Sequence, residues 1–338
     1  MAFRHRLMPL LYINLNSICS EKVPADVLKN LKESFHENTH KNLLLTGELV
    51  RIMKLLKESG INVLTYKGPV LAHSAYGNIG YRQFGDIDIL TDKAGAQKAK
   101  ELMNSNGYDL YQHIKADDST YMKLESEFIF INKNTMQKVE INWNFAGNFF
   151  YIPNNSNKLF NKLKIIKIHE FKFYTFNPVN QLLALCIHTA KHNWDRIIWI
   201  ADINQVILTE NFDWNIVLKK AEKIGVKRIL LINLFLANLI FELNLPKIIF
   251  SEFNKDLTVK KISNQIINRI FIQHKEMINF QSKIFLYIKR RENLKEKLIE
   301  SLNILTKPNY EDYATIPLPN AFFSLYMFIR PLLILTRI

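Results

Sequence analysis

Two cysteines in 338 residues, Cys19 and Cys186, are too few and too far apart for a framework of disulfide bridges. Their apolar surroundings fit a reducing compartment, and the expected location is the cytoplasm. No secretory leader is expected either: MAFRHRLMPLLYINLN places a short apolar run after basic residues, but no small-residue cleavage site follows. Apolar runs of membrane-spanning length are also lacking. The two most apolar stretches, Ile229 to Pro246 and Ala321 to Ile338, meet Asn, Glu or Arg before about 20 residues have passed, so no transmembrane segment is expected. The second stretch, with Arg330 and Arg337 among aromatic and aliphatic side chains, suits a C-terminal helix docked on the core. Peripheral contact with a membrane face is its other reading. There is no internal repeat and no block of pure Lys and Arg. The most basic stretch, IKRRENLKEK from Ile288 to Lys297, reads as a solvated helix face rather than a nucleic-acid stripe.

The composition that remains, 48% apolar and 22% charged, describes a globular chain with room for two domains and excludes wholesale disorder. Lys and Arg number 45 against 31 Asp and Glu, and the net charge of +14 points to an anionic partner such as nucleotide, nucleic acid or an anionic membrane.

Residues up to about Ser59 carry apolar side chains at three and four spacing and read as helix, with Gly60 at its end. INVLTYKG is short, β-branched and apolar, which predicts a strand, and PVLAHSAYG predicts a helix opened by Pro69 and closed by Gly77. GDIDILTD alternates strictly, so Ile87 and Ile89 face one way while Asp86 and Asp88 face the other. Asp92 caps the helix that follows. SEFIFIN and QKVEINW form a hairpin with Glu140 opposite the side that carries Val139 and Ile141. KIIKIHEFKFYTFN adds a small strand pair, and helices resume from Pro178. The expected fold is α+β, a small mixed-sheet core flanked by helices and followed by an all-helical domain. The expected division is 1–58 helical, 59–152 the α/β core, 153–177 a linker with an Asn-rich boundary at Pro153 to Lys158, 178–310 helical, and 311–338 an apolar helix.

Two carboxylates at i and i+2 on a strand lie side by side, and a neighbouring strand bearing Glu140 supplies a third. Three hard oxygen donors on adjacent strands suit Mg²⁺ or Mn²⁺, which takes its remaining ligands from water and substrate phosphates. Without a cation the three acids repel one another, which speaks for a metal. Lys67 and Gly68 end a strand just before a helix, where glycine lets phosphate approach and the helix N-terminus and the ammonium both favour an anion. Arg82, four residues before Asp86, presents a fork to phosphate. Taken singly these are a solvated strand face, a turn and an exposed arginine; their order along the chain favours a site.

The run VLTYKGPVLAHSAYGNIGYRQFGDIDILTD, followed by KVEINWNF and LLALCIHTAKHNWDRIIWIADINQVI, resembles an uncharacterised bacterial branch of the nucleotidyltransferases within the DNA polymerase β-like superfamily. The likeness runs from about Leu55 to Pro246, with a weaker echo in LPNAFFSLYMFIRPL. The resemblance implies that Asp86, Asp88 and Glu140 are the catalytic metal-binding acids and that Gly68 belongs to the nucleotide-phosphate turn; Lys67 and Arg82 join that site on the residue chemistry given above. It also implies an NTP substrate, ATP among them, and a role beside surface-polysaccharide or peptide modification. The acceptor is a sugar, peptide, protein or nucleic acid. One departure is Pro69, which follows Gly68 where the superfamily continues with Ser or Gly.

His188 and His192 lie four apart on a helix and share a face, with Asp202 further along. No Glu follows the first His, which excludes the zinc-peptidase pattern. They are expected to face the cleft as part of an acceptor site, or to satisfy buried hydrogen bonds. The alternative functions are a metal-dependent phosphohydrolase using His188, His192 and Asp202, and a non-catalytic nucleotide or nucleic-acid-binding regulator.

Overall fold

The structure is a computed structural model and describes residues 1–111, 116–147, 162–271 and 288–335. The Asn-rich boundary and Arg337 fall outside them. Two helices open the chain, α1 (Met8–Ile18) and α2 (Ala25–Glu58). The second runs 34 residues without a proline, tolerating Gly47 in its interior because its apolar face packs inward through Leu45, Leu49, Ile52, Met53 and Leu56.

Helix α3 (Gly68–Tyr76) precedes strand β1 (Asp86–Leu90). Next come α4 (Lys93–Ser105), β2 (Tyr108–Tyr111), α5 (Asp118–Leu124), β3 (Glu127–Asn132) and β4 (Lys138–Asn142). Asp92 caps α4, its carboxylate accepting the N–H of Gly95 at 2.6 Å. The four strands form one sheet in the order β1-β4-β3-β2, with β1 parallel to β4 and the other pairs antiparallel. Ile87, Ile89, Val139 and Ile141 are fully buried on the face that packs against α2 and α4. Each such side chain contributes about 1.5–3 kcal/mol of burial, and their alternation leaves the acids of β1 and β4 on the opposite face.

INVLTYKG is not a ladder strand. Leu64 makes an isolated antiparallel bridge with Leu90, and Thr65 donates to the Tyr174 carbonyl at 3.1 Å. The segment is extended and buried, and it divides its hydrogen bonds between two neighbours instead of pairing with one. The hairpin of β5 (Lys164–Ile168) and β6 (Phe171–Thr175) forms as the sequence predicts.

The helical part follows as α6 (Pro178–Lys191), α7 (Ile197–Thr209), α8 (Trp214–Lys223), α9 (Lys227–Phe241), α10 (Lys247–Lys255) and α11 (Leu257–Phe271). Its core also takes in Leu64, Tyr66, Leu71, Leu90, Phe145 and Phe176, so the sheet and the helices share apolar side chains. The corner between α6 and α7 is tight. Asn193 and Trp194 are both left-handed (φ 53 and 54), and the buried Trp194 indole donates to Asn233 at 3.0 Å. That anchor fixes where His192 and Arg196 emerge.

Helices α12 (Leu294–Thr306), α13 (Tyr310–Thr315) and α14 (Tyr326–Leu335) close the chain. The basic stretch before α12 is not a solvated face. Arg290 and Arg291 are buried on Glu300, and they donate to the carbonyls of Ala190 (3.0 Å) and Gly225 (2.8 Å). Helix α14 turns Tyr326, Arg330 and Ile334 inward and leaves Phe328, Leu332 and Leu335 exposed. No helix among the described residues is long and apolar enough to cross a membrane.

Candidate functional site

A cavity of about 480 Å³ opens between the polar face of the sheet and the α6–α7 corner. Asp86, Asp88 and Glu140 all line it. The parallel register sets Asp88 directly beside Glu140 and Asp86 beside Lys138, and the strand period keeps all four side chains on one face. Asp88 is only 7% exposed, and Lys67 Nζ lies 2.8 Å from its Oδ1. Burial pushes the Asp88 carboxyl up and Lys67 pulls it back, with the net direction upward. Burial opposes the charge of Lys67, but Asp88 and Asp86 outweigh it and hold the ammonium protonated. Lys138 Nζ stands 2.5 Å from Glu140 Oε1. Two lysines therefore relieve the repulsion that the acids alone would suffer.

Lys67 is the N-cap residue of α3, and Gly68 begins that helix at φ 55. Backbone conformation, not space, calls for glycine there: an added Cβ would stand an ordinary 3.8 Å from the Asp86 carbonyl. Pro69 sits in the first helical turn, where its missing N–H forfeits no helical bond.

Arg82 lines the cavity, but most of its fork is engaged. Its Nε and Nη2 donate to the two oxygens of Asp202 at 2.7 and 2.8 Å, and the Tyr76 hydroxyl donates to the same carboxylate at 2.7 Å. Asp202 is 1% exposed and does not line the cavity. This fork clasps the loop before β1 to α7; removing one partner of so buried a pair costs about 3–5 kcal/mol.

His188 and His192 both reach the cavity, their rings 4.7 Å apart and 5.3 and 5.0 Å from Trp199. Burial, then Lys67 and His192, hold His188 well below its ordinary value. His192, more exposed at the cleft mouth, is also lowered, by lost hydration and then by Lys191 and Lys67. The histidines thus meet each other and Trp199, while Asp202 is taken by Arg82 and Tyr76.

Several lining residues escaped the sequence reading. Glu127 and Lys138 occupy the same sheet face as Glu140, and strand alternation would have found them. Arg6, Lys191, Arg196 and Trp199 arrive from the N-terminus and the helical corner, where no motif marks them. Glu125, just outside the cavity, is pushed up to about 7 by burial and by Glu127.

Among the described residues, no three or more His, Cys, Asp or Glu side chains are gathered closely enough to hold a metal ion. The donor chemistry nevertheless fits one. Asp86, Asp88 and Glu140 are hard carboxylates on a shared face, and the charge of Asp88 and Glu140 is already met by cationic Nζ atoms at 2.8 and 2.5 Å.

No curated protein and no solved structure matches the chain. Residues 1–242 match the model of a family described as uncharacterised nucleotidyltransferases, a span that takes in all of these cavity residues, and the chain belongs to that family.

Proposed function

We propose that this cleft moves a nucleoside monophosphate from an NTP to an acceptor hydroxyl or phosphate oxygen. The acceptor oxygen attacks the α-phosphorus, the bond to the bridging oxygen of the β-phosphate breaks, and pyrophosphate leaves. The acceptor proton passes to Glu140 or Asp88. The observation that carries this reading is the common face of Asp86, Asp88 and Glu140, set across one cavity from Lys191 and Arg196. Acids that organise the reacting phosphorus and cations that receive the triphosphate are what such a transfer requires. Asp86, Asp88 and Glu140 would hold Mg²⁺ or Mn²⁺, which when bound polarises the α-phosphate and offsets charge on the leaving group. Lys67 and Gly68 lead the nucleotide phosphates to the start of α3, and the Nη1 of Arg82, outside its fork to Asp202, is directed to the same purpose.

The test is incubation with each α-labelled NTP, Mg²⁺ or Mn²⁺, and a panel of sugars, peptides, proteins and nucleic-acid ends. Label moves to one acceptor class in the wild type. Asp88→Asn lowers the rate by a factor of about 10³ or more; transfer that survives this change would sink the assignment.

The exposed face of α14 supports peripheral membrane contact as an accompanying role. Leu294, Leu298, Leu302 and Leu305 of α12, which packs against α14, are exposed as Phe328, Leu332 and Leu335 are. Sedimentation with anionic vesicles measures it: binding lost on Phe328→Ser with Leu332→Ser is the expected result, and equal sedimentation of the variant excludes the role.

A further inference from the structure

The N-terminal residues supply the cleft with a cation, Arg6, that makes no ion pair among the described residues. Leu7 N–H donates to the Ala2 carbonyl at 2.8 Å and Arg6 N–H to the Phe3 carbonyl at 3.1 Å, the two bonds of a Schellman turn. The residue closing such a turn is left-handed and is usually glycine. Here it is Arg6, at φ 58. A branched or long side chain in that conformation is strained, and the strain persists only where the surroundings enforce it.

They do so on both sides. His5 is 1% exposed, and its Nδ1 accepts the N–H of Ile197 at 3.4 Å. Ile197 is the first residue of α7, whose own N-cap residue, Arg196, gives no side-chain cap, so His5 caps the helix from the far end of the chain. Accepting that bond requires an imidazole unprotonated at Nδ1. Burial and then Arg4 hold His5 below its ordinary value, in keeping with that state. Leu7 packs against the helical core, and Arg4 lies 3.6 Å from Asp195. The turn is thus strapped to the α6–α7 corner.

Arg6 projects from this strap into the cavity, where it makes no ion pair among the described residues. Burial and the adjacent charge of Arg196 both work against its cation, and only Asp86 favours it. Two guanidinium groups held together in a half-buried cleft gain most from a shared anion.

We propose that the N-terminal turn is part of the nucleotide site, and that Arg6 together with Arg196 grips the β- and γ-phosphates of the NTP. The assignment rests on the nucleotidyl-transfer reading above. The α-phosphate must lie by Asp86 and Asp88, so the part of the triphosphate that reaches the arginine wall is the pyrophosphate about to leave. His5 acts as a positioning residue: it touches no substrate and sets the register of the turn that aims Arg6.

Arg6→Gly tests this cleanly, because glycine relieves the left-handed strain and leaves the turn intact. Binding of Mg²⁺ with the α,β-methylene analogues of the four ribonucleoside triphosphates is measured by calorimetry beside the matching monophosphates. The expected result is a triphosphate affinity lowered by about tenfold or more, monophosphate binding changed less than about twofold, and a melting temperature unchanged or raised. Arg6→Lys recovers part of the loss, and His5→Ala shows the same selectivity for triphosphate. Unchanged triphosphate binding in Arg6→Gly, or equal losses for tri- and monophosphate, overturns the role of Arg6 alone. A wild type that binds none of the analogues overturns the nucleotidyl-transfer reading with it.

Discussion

Lys67 occupies the position on which the chemistry of the cleft turns. Its ammonium rests on the buried carboxylate of Asp88, one of the three acids proposed to hold the metal. On the proposed reading a divalent cation arriving at Asp88 would compete with that ammonium, so that the lysine would both favour the charged acid and moderate metal affinity. Lys67→Met separates these effects. Without divalent cation, the variant leaves Asp88 buried and unpaired, and urea unfolding should show a loss of about 3 kcal/mol. Added Mn²⁺ should restore the variant by more than it stabilises the wild type; equal stabilisation of both would show that the cation and the ammonium do not share Asp88. At this scale the sequence was informative wherever period and chemistry coincide. Asp86, Asp88 and Glu140 share a face because strands alternate, and that much follows from GDIDIL and KVEIN. Pairing of side chains was not legible. The expectation that the acids need a metal to coexist overlooked Lys67 and Lys138, and the engagement of Arg82 by Asp202 joins residues 120 positions apart.

Elements formed by local pattern were readable, and elements defined by partners were not. The β3–β4 hairpin and the α4 cap need only alternation and an aspartate at the right place. The strand expected at INVLTYKG fails because a ladder needs a continuous neighbour, and Leu64 and Thr65 face different ones. Likewise Arg290 and Arg291 look solvated in a charged stretch but are drawn inward by Glu300 and by the carbonyls of Ala190 and Gly225. Helix α6 carries a pH dependence of its own. Its buried His188 titrates well below about 6.5, so the unfolded chain takes up a proton that the folded one refuses. The folded state has its full stability above pH ~6.5 and loses it as pH falls below that value, by up to about 1.4 kcal/mol per pH unit for one such group. Denaturant unfolding between pH 7 and 5 measures the slope, and His188→Gln should lower it by one group's share, leaving the part that His192 and His5, also lowered by burial, contribute. A slope unchanged by the substitution would place the acid sensitivity elsewhere.

The whole molecule joins a sheet that bears acids to a helical corner that bears cations, with a shared apolar core setting the distance between them. The net charge of +14 pointed to an anionic partner but not to where it binds. Arg6, Lys191 and Arg196 show why: they come from two distant places in the chain, the N-terminus and the α6–α7 corner, and meet only after folding. The fold class and the acidic half of the cleft were therefore visible in the sequence, whereas the basic half is a product of tertiary structure. The most direct measurement is a crystal grown with Mn²⁺ and an α,β-methylene NTP, the ion located by its anomalous scattering. The account predicts manganese bound by Asp86, Asp88 and Glu140 with Lys67 displaced from Asp88, and the triphosphate running from that ion toward Arg6 and Arg196. Manganese on His188 and His192, or a triphosphate bound away from the sheet acids, would contradict it.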